Sequence, residues 1–351
     1  MIIKPSFQGK VRCVLKDENG NIKQDTGYSN NMLVDSFLEK LFTENTQGWL
    51  NWSYYGRGFY PSVGDRSYMG QGLINYTKIS SSTDPTTRGM TDMTGSTPDE
   101  THDYGRSTSG TFPVWVERQF VYLAGNGTGD INAVGVFKDN NDMTARIILP
   151  ETIEKLSTDI LEVYYRVEFD IPTRTYSGVI EKGQRDGETD INWNLYITDD
   201  MVYNAWVDND MGRTYSGGTL PTRYYVHNVL NGLYGLYTTN GVDVIIGDSN
   251  APSDIQNDNG SGAGHLKGNE IYNGKWTFLE PNDYVSGSYQ RTGRLGFEED
   301  IANVEISELL VFPQYSDKAS PTFRITFDPA LNNVEMYRLY LDFTVSLGTI
   351  S

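Results

Sequence analysis

The feature that most constrains this chain is that it repeats itself at the scale of a domain. Two divergent stretches, 8–172 and 200–348, carry four sets of anchors in the same order. The first is a strand-like run entering a glycine turn: Val11-Arg12-Cys13-Val14-Leu15-Lys16 before Asp17-Glu18-Asn19-Gly20, and Tyr203-Asn204-Ala205-Trp206-Val207 before Asp208-Asn209-Asp210-Met211-Gly212. The second is Asn31-Met32-Leu33 against Asn228-Val229-Leu230. The third sets Tyr76-Thr77-Lys78-Ile79-Ser80 against Val242-Asp243-Val244-Ile245-Ile246, each before a polar turn with proline. The fourth sets Ile131-Asn132-Ala133-Val134-Gly135-Val136-Phe137 against Ile306-Ser307-Glu308-Leu309-Leu310-Val311-Phe312. Arg146-Ile147 and Arg324-Ile325 follow at matching places. Repeats this long are whole domains, not solenoid units.

Each stretch closes on a long alternating run. Leu161, Val163, Tyr165, Val167 and Phe169 fall on one side, with Glu162, Arg166 and Glu168 on the other. Tyr337, Leu339, Leu341, Phe343 and Val345 alternate in the same way with Arg338, Asp342 and Thr344. A period of two over nine residues is a half-buried antiparallel strand. Asp17–Asn21 reads as a hairpin turn, because Asn-Gly readily takes positive φ. Asn30-Asn31 reads as a cap for a helix over 35–42, with Leu33, Phe37, Leu38 and Leu41 on one side. Glu151–Leu156 reads as a single helical turn. The fold expected is mainly β: two tandem, divergently duplicated β-sandwich-like domains with one short helix each and long polar loops. Residues 1–172 form the first domain, 173–200 a connecting strand segment (Thr189–Ile197 alternates well), and 201–351 the second domain.

Composition narrows the function. With 28 Lys+Arg against 46 Asp+Glu, the net charge is −18, which repels phosphate backbones and anionic lipid. No nucleic-acid partner is expected. No apolar run approaches the roughly 20 residues of a membrane span, and the first ten residues lack the apolar core of a signal peptide. The single cysteine, Cys13, has no partner for an intrachain disulfide.

The sequence carries no fingerprint of catalysis. It has no phosphate-cradling glycine loop, no H-E-x-x-H and no C-x-x-C, and Gly247-Asp248-Ser249-Asn250-Ala251 lacks the final glycine of a nucleophile elbow. The adjacent acids Asp199-Asp200, Glu298-Glu299-Asp300 and Asp208/Asp210 read as solvated turn or edge positions in a chain rich in acids. No enzyme activity, metal or cofactor is expected. The aromatic stretch 45–72 holds Trp49, Trp52, Tyr54 and Tyr55. These four are the candidate contact residues, for a local core or protein neighbour first and for a bacterial surface glycan second. Residues 80–112 are almost entirely Ser, Thr, Gly, Asp and Pro. A loop of this length is expected to gain order by lying against neighbouring chains.

The opening, with its strand, Asp/Asn-Gly hairpin, second strand and Asn-x-Leu start, resembles structural proteins of tailed bacteriophages. So does the run from Arg118-Gln119-Phe120-Val121-Tyr122 through a Gly/Thr turn into Ile131-Asn132-Ala133-Val134-Gly135-Val136-Phe137. The resemblance implies a virion structural protein of the tail, collar or fibre-attachment region, made in the bacterial host cytoplasm. Its partners would be other copies of itself and other tail, collar or fibre proteins. No collagen-like, coiled-coil or short β-helical repeat is present, which points away from a fibre shaft and towards a compact ring or adaptor. The alternative is a host-receptor or carbohydrate-binding adhesin of the tail fibre. The family's role lies in assembly surfaces, so no functional residue carries over.

Overall fold

A computed structural model describes residues 2–4, 6–43, 74–104, 113–139, 141–170, 173, 175–180, 190–197, 242–248, 270–281, 285–296, 304–312, 323–333 and 340–347. The described part of the first half holds β1 (Ile2–Ile3), β2 (Ser6–Lys16), β3 (Ile22–Asp25), β4 (Ser29–Leu33), helix α1 (Asp35–Thr43), β5 (Tyr76–Ser80), β6 (Glu100–Tyr104), β7 (Val114–Tyr122), β8 (Gly129–Asp139), β9 (Asp142–Lys155) and β10 (Ile160–Asp170). After it come β11 (Thr175–Ile180), β12 (Ile191–Ile197), β13 (Val242–Gly247), β14 (Glu270–Pro281), β15 (Gln290–Gly296), β16 (Val304–Phe312), β17 (Phe323–Asn333) and β18 (Tyr340–Ser346). The chain is therefore mainly β, as its period-two patterning predicts.

The strands form two nine-stranded sheets. One runs β5-β8-β9-β4-β2-β10-β7-β6, with β3 also on β2; the other runs β1-β18-β15-β14-β13-β16-β17-β12-β11. In each sheet one strand changes partner along its length. In the first, β4 pairs β2 through Ser29–Asn31 and then β9 through Met32 and Leu33. In the second, β14 pairs β13 through Glu270–Trp276 and β15 through Thr277–Pro281. Both β11 and β12 lie in the second sheet, and so does β1, which pairs β18 in parallel.

The trio β5-β8-β9 and the trio β13-β16-β17 have the same order and pairing sense. Their registers coincide. Val134, Gly135 and Val136 face Ile147, Arg146 and Ala145; Leu309, Leu310 and Val311 face Ile325, Arg324 and Phe323. Both ladders are interrupted at a matching place, after Ile131 and after Ile306, and β8–β9 shifts again on either side of Phe137. The third sequence anchor needs correction by one residue. Tyr76 faces Phe137 while Asp243, not Val242, faces Phe312. A one-residue slip in a strand moves every side chain to the other face, and the short polar run gave the sequence alignment nothing to fix that phase.

The main core confirms the alternation in β10: Leu161, Val163, Tyr165 and Val167 are buried, and their neighbours point outward. They pack with Phe7, Val11, Cys13 and Leu15 of β2 and Phe120 and Tyr122 of β7. Across the fold Tyr122 Oη and Thr77 Oγ1 of β5 share a buried hydrogen bond of 2.8 Å. The same apolar cluster continues into Ile191, Leu195, Ile306, Leu309 and Ile325, so the halves share one core. They also touch at the surface, where Gly287 N–H donates to Glu39 of α1 and Arg88 lies 5.2 Å over the Tyr289 ring.

Three local expectations change. Helix α1 forms over the predicted residues and buries Phe37 and Leu38, but Asn30 and Asn31 are in β4 rather than at a cap. Ladder bonds to β2 hold them in extended backbone. Glu151–Lys155 is the end of β9, with Ile153 opposite Ile131 and buried. Burial of Ile153 and Lys155 on one face outweighs the local helical pattern. The polar loop after β5 is ordered, over 81–99, by its own chain. Asp17–Asn21 is the expected hairpin turn, with Gly20 at φ 83 and the Asp17 carboxylate accepting the Asn19 and Asn21 N–H groups. The anchor Asn228-Val229-Leu230 lies outside the described residues.

Candidate interaction face

Three strands, β2, β10 and β7, turn one face of the first sheet away from the core. Antiparallel pairing puts Tyr164 beside Arg12 and Gln119, and Arg166 beside Lys10 and Glu117. Alternation requires these residues to point away from the core that Val163, Tyr165 and Val167 fill. The connection between β3 and β4 brings Tyr28 over the same face.

The outward side chains form a continuous ladder of rings and guanidinium groups. Arg166 lies 4.0 Å over the Trp115 ring and 4.3 Å over the Tyr28 ring. Arg12 lies 5.9 Å from the Tyr28 centroid and 5.7 Å from the Tyr164 centroid. The order is therefore Trp115, Arg166, Tyr28, Arg12, Tyr164. Each cation–π contact of this kind is worth about 0.5–1 kcal/mol at an exposed site.

Charged hydrogen bonds fix the ladder. Arg12 grips Asp25 through Nε at 2.9 Å and Nη2 at 2.6 Å. Arg166 Nε donates to Glu117 Oε2 at 3.0 Å and its Nη2 to Tyr28 Oη at 3.0 Å. Tyr28 Oη donates in turn to Glu117. Burial first, and then the bond to Glu117, pushes the Tyr28 hydroxyl up to about 12, so it stays a proton donor. The Arg12 hydrogen bond holds the Asp25 carboxyl down to about 2. Lys10 pairs Glu168 at 2.7 Å and Lys16 pairs Glu162 at 2.6 Å. Gln119 donates to Tyr164 Oη, which donates to Glu162.

This arrangement suits recognition rather than chemistry. No group of three or more His, Cys, Asp or Glu side chains among the described residues is placed to hold a metal. Cys13 is buried, and burial raises its thiol to about 12, far from a reactive thiolate. Arg166 covers one face of both Trp115 and Tyr28.

The sequence candidates Trp49, Trp52, Tyr54 and Tyr55 lie outside the described residues, as do Asp199-Asp200, Asp208/Asp210 and Glu298-Glu299-Asp300. The ladder itself was missed. Its signal was in the alternating run of β10, where the outward positions carry Tyr164 and Arg166 beside the usual Glu residues. Trp115 and Tyr28 are too far away in sequence to be joined to it by pattern.

A second polar assembly lies on the far face of β8 and β9. Arg146 is 2% exposed, and its Nη1 donates to the Asp84 carbonyl at 2.6 Å and to Thr86 Oγ1 at 3.3 Å. Its Nη2 donates to Ser82 Oγ at 3.2 Å, and the Met93 sulfur lies 3.4 Å from Nε. Lys78 pairs Asp92 at 2.7 Å, and Arg88 pairs Asp35 at 3.0 Å. Met93 completes a small core with Val34, Ala133, Phe137 and Met143, with Met90 packed against it. The polar loop is thus a lid over its own sheet, and this site is structural. Two methionines in a Ser/Thr/Asp run were the readable sign of it.

No protein-family model, curated protein or solved structure matches this chain. No helix among the described residues is long and apolar enough to cross a membrane.

Proposed function

We propose that this chain is a non-enzymatic structural subunit of a tailed-bacteriophage virion, in the tail, collar or fibre-attachment region. The observation that carries the reading is the matched pair of trios, β5-β8-β9 and β13-β16-β17, with one register and one ladder interruption in common. Such a pair is what tandem duplication of one β domain leaves behind. A duplicated domain gives each subunit two related surfaces, so a ring of these subunits has twice the number of similar contact points. That arrangement suits a part that joins components of unequal symmetry. The open, preorganised face of the first sheet supports the same reading, since Trp, Tyr and Arg dominate the energetics of protein contacts.

The test is the location of the protein. Particles purified from a lysate of the host carrying this gene are examined by mass spectrometry and by gold-labelled antibody. The reading expects the chain in intact particles, with label at the tail or neck. A chain found only in the particle-free fraction would refute it.

A further inference from the structure

We propose that Asn19, at the tip of the β2–β3 hairpin, is a site of spontaneous deamidation. In the folded chain it converts to aspartate and isoaspartate ahead of the other Asn-Gly steps among the described residues, and Asp17 holds its rate down. The inference does not depend on where the protein assembles.

Asn19, Asn126, Asn231, Asn240, Asn259 and Asn273 each precede a glycine. An Asn-Gly step lets the backbone nitrogen reach the carboxamide before it, because glycine has no Cβ to obstruct the approach. The Gly20 nitrogen gives its proton to hydroxide and bonds to Asn19 Cγ. The Cγ–Nδ2 bond breaks, and ammonia leaves with a proton taken from water. The cyclic imide then takes up one water. Opening at Cγ leaves aspartate; opening at the main-chain carbonyl leaves isoaspartate. The net change is water in and ammonia out, with no electron transferred.

The fold sorts the three steps that lie among the described residues. Asn126 has its leaving nitrogen tied down, since Nδ2 donates to the Thr97 carbonyl at 2.7 Å and to Asp99 Oδ2 at 2.8 Å. Gly127 is crowded as well: a Cβ there would lie 2.5 Å from Ile79 Cδ1. Asn273 and Gly274 lie inside β14, opposite Ile245 and Val244 of β13. Asn19 and Gly20 are exposed at a loop tip, and a Cβ added at Gly20 would meet nothing within 4 Å. No hydrogen bond among the described residues holds the Asn19 carboxamide. Ring closure needs local opening, and loop tips open at the lowest free energy.

The turn itself restrains the reaction. The Gly20 N–H, whose nitrogen must attack, donates to the Asp17 carbonyl at 3.0 Å. The Asp17 carboxylate closes the loop around that bond, accepting from the Asn19 N–H at 2.9 Å, the Asn21 N–H at 2.8 Å and Asn21 Nδ2 at 2.9 Å. Asp17 is therefore a positioning residue. Conversion has a structural consequence, because isoaspartate lengthens the main chain of a closed turn and sets a new carboxylate beside Asp17 and Glu18. Strand β3 starts from this turn, and its Lys23 and Asp25 pair Asp159 and Arg12. Loosening β3 loosens the Arg12 end of the ladder.

The test is ageing of the full chain in mildly alkaline buffer, native and in denaturant, with timed samples digested and each Asn-Gly peptide resolved by mass spectrometry into asparagine, aspartate and isoaspartate. In the native chain Asn19 is expected to convert at least about tenfold faster than Asn126 and Asn273, the ratio given by about 1.4 kcal/mol of difference in opening free energy. In denaturant the three are expected to convert at similar rates. Asp17→Ala, with an unchanged circular dichroism spectrum, is expected to speed native conversion at Asn19 severalfold and leave Asn126 as it was. Native conversion at Asn126 or Asn273 as fast as at Asn19 overturns the proposal. So does an Asn19 that stays intact in the native chain while the denatured chain converts. A folded Asp17→Ala chain that converts no faster at Asn19 overturns the role given to Asp17.

Discussion

Arg146 and Arg324 occupy the same register in two different sheets and satisfy their guanidinium groups in opposite ways. Each lies in the last strand of its trio, opposite Gly135 of β8 in one case and Leu310 of β16 in the other. Both are almost fully buried. Arg146 turns to the loop that covers it, taking the Asp84 carbonyl and the Ser82 and Thr86 hydroxyls. Arg324 turns to Glu308, with bonds of 2.8 Å from Nε and 2.6 Å from Nη2. Glu308 stands where the first half has Ala133. A buried cation needs compensation, and the two halves supply it differently: one from a lid, one from a carboxylate in the sheet.

Arg146→Ala is expected to release the lid rather than unfold the sheet. The backbone N–H of Met143, bonded to the Thr91 carbonyl, and that of Asp35, bonded to the Arg88 carbonyl, report on it. Hydrogen exchange at both sites should accelerate well before exchange in β10. Loss of several charge-assisted bonds to buried groups should cost about 3 kcal/mol in urea unfolding. Unchanged protection at Met143 and Asp35 would show that the lid holds without the guanidinium.

The Glu308–Arg324 pair should behave non-additively. Replacing either partner alone by alanine strands a buried charge and is expected to cost about 3–5 kcal/mol. Replacing both, as Glu308→Leu with Arg324→Met, is expected to cost much less than the sum of the two. Urea midpoints of the two single variants and the double variant check this; additive losses would contradict it.

Gly95→Ala is expected to open the edge of the first sheet. A Cβ there would sit 2.2 Å from the Ile79 carbonyl oxygen, next to the bridge between Ile79 and Ser96 that ties β5 to the lid. Backbone cannot yield as a flexible side chain can. Loss of slow exchange at the Ile79 and Ser96 N–H groups, with a destabilisation of about 2 kcal/mol, is the expected result; a neutral substitution would refute the closure.

Acid should weaken the Arg12 end of the ladder late. The folded carboxyl of Asp25 titrates at about 2, below its ordinary 3.8. Its contribution is therefore present above pH 3.8 and is lost as pH falls through about 2. The pair is about a third exposed, at 35% and 32%, so solvent screening keeps the effect below about 1 kcal/mol. Carboxyl carbon NMR should show the low midpoint, and the stability gap to Asp25→Asn should close over the same range. A midpoint at the ordinary value would contradict the geometry.

The strand entering the turn at Val11–Lys16, period two in β10, the hairpin at Asp17–Asn21 and the apolar side of α1 were determined by the sequence alone, because each is a local pattern that backbone geometry translates directly. The pairing of the fourth anchor with the Arg-Ile dipeptides was legible too, since those runs are long and apolar enough to fix a phase. Tertiary structure decided the rest. It placed β1, β11 and β12 in the second sheet, moved the third anchor by one residue and turned a Ser/Thr/Asp loop into a lid. It also joined Trp115, Arg166, Tyr28, Arg12 and Tyr164 into one ladder. These depend on contacts between residues far apart in the chain, where hydrogen-bond register and the need to satisfy buried charge choose among arrangements that local pattern leaves equal in energy.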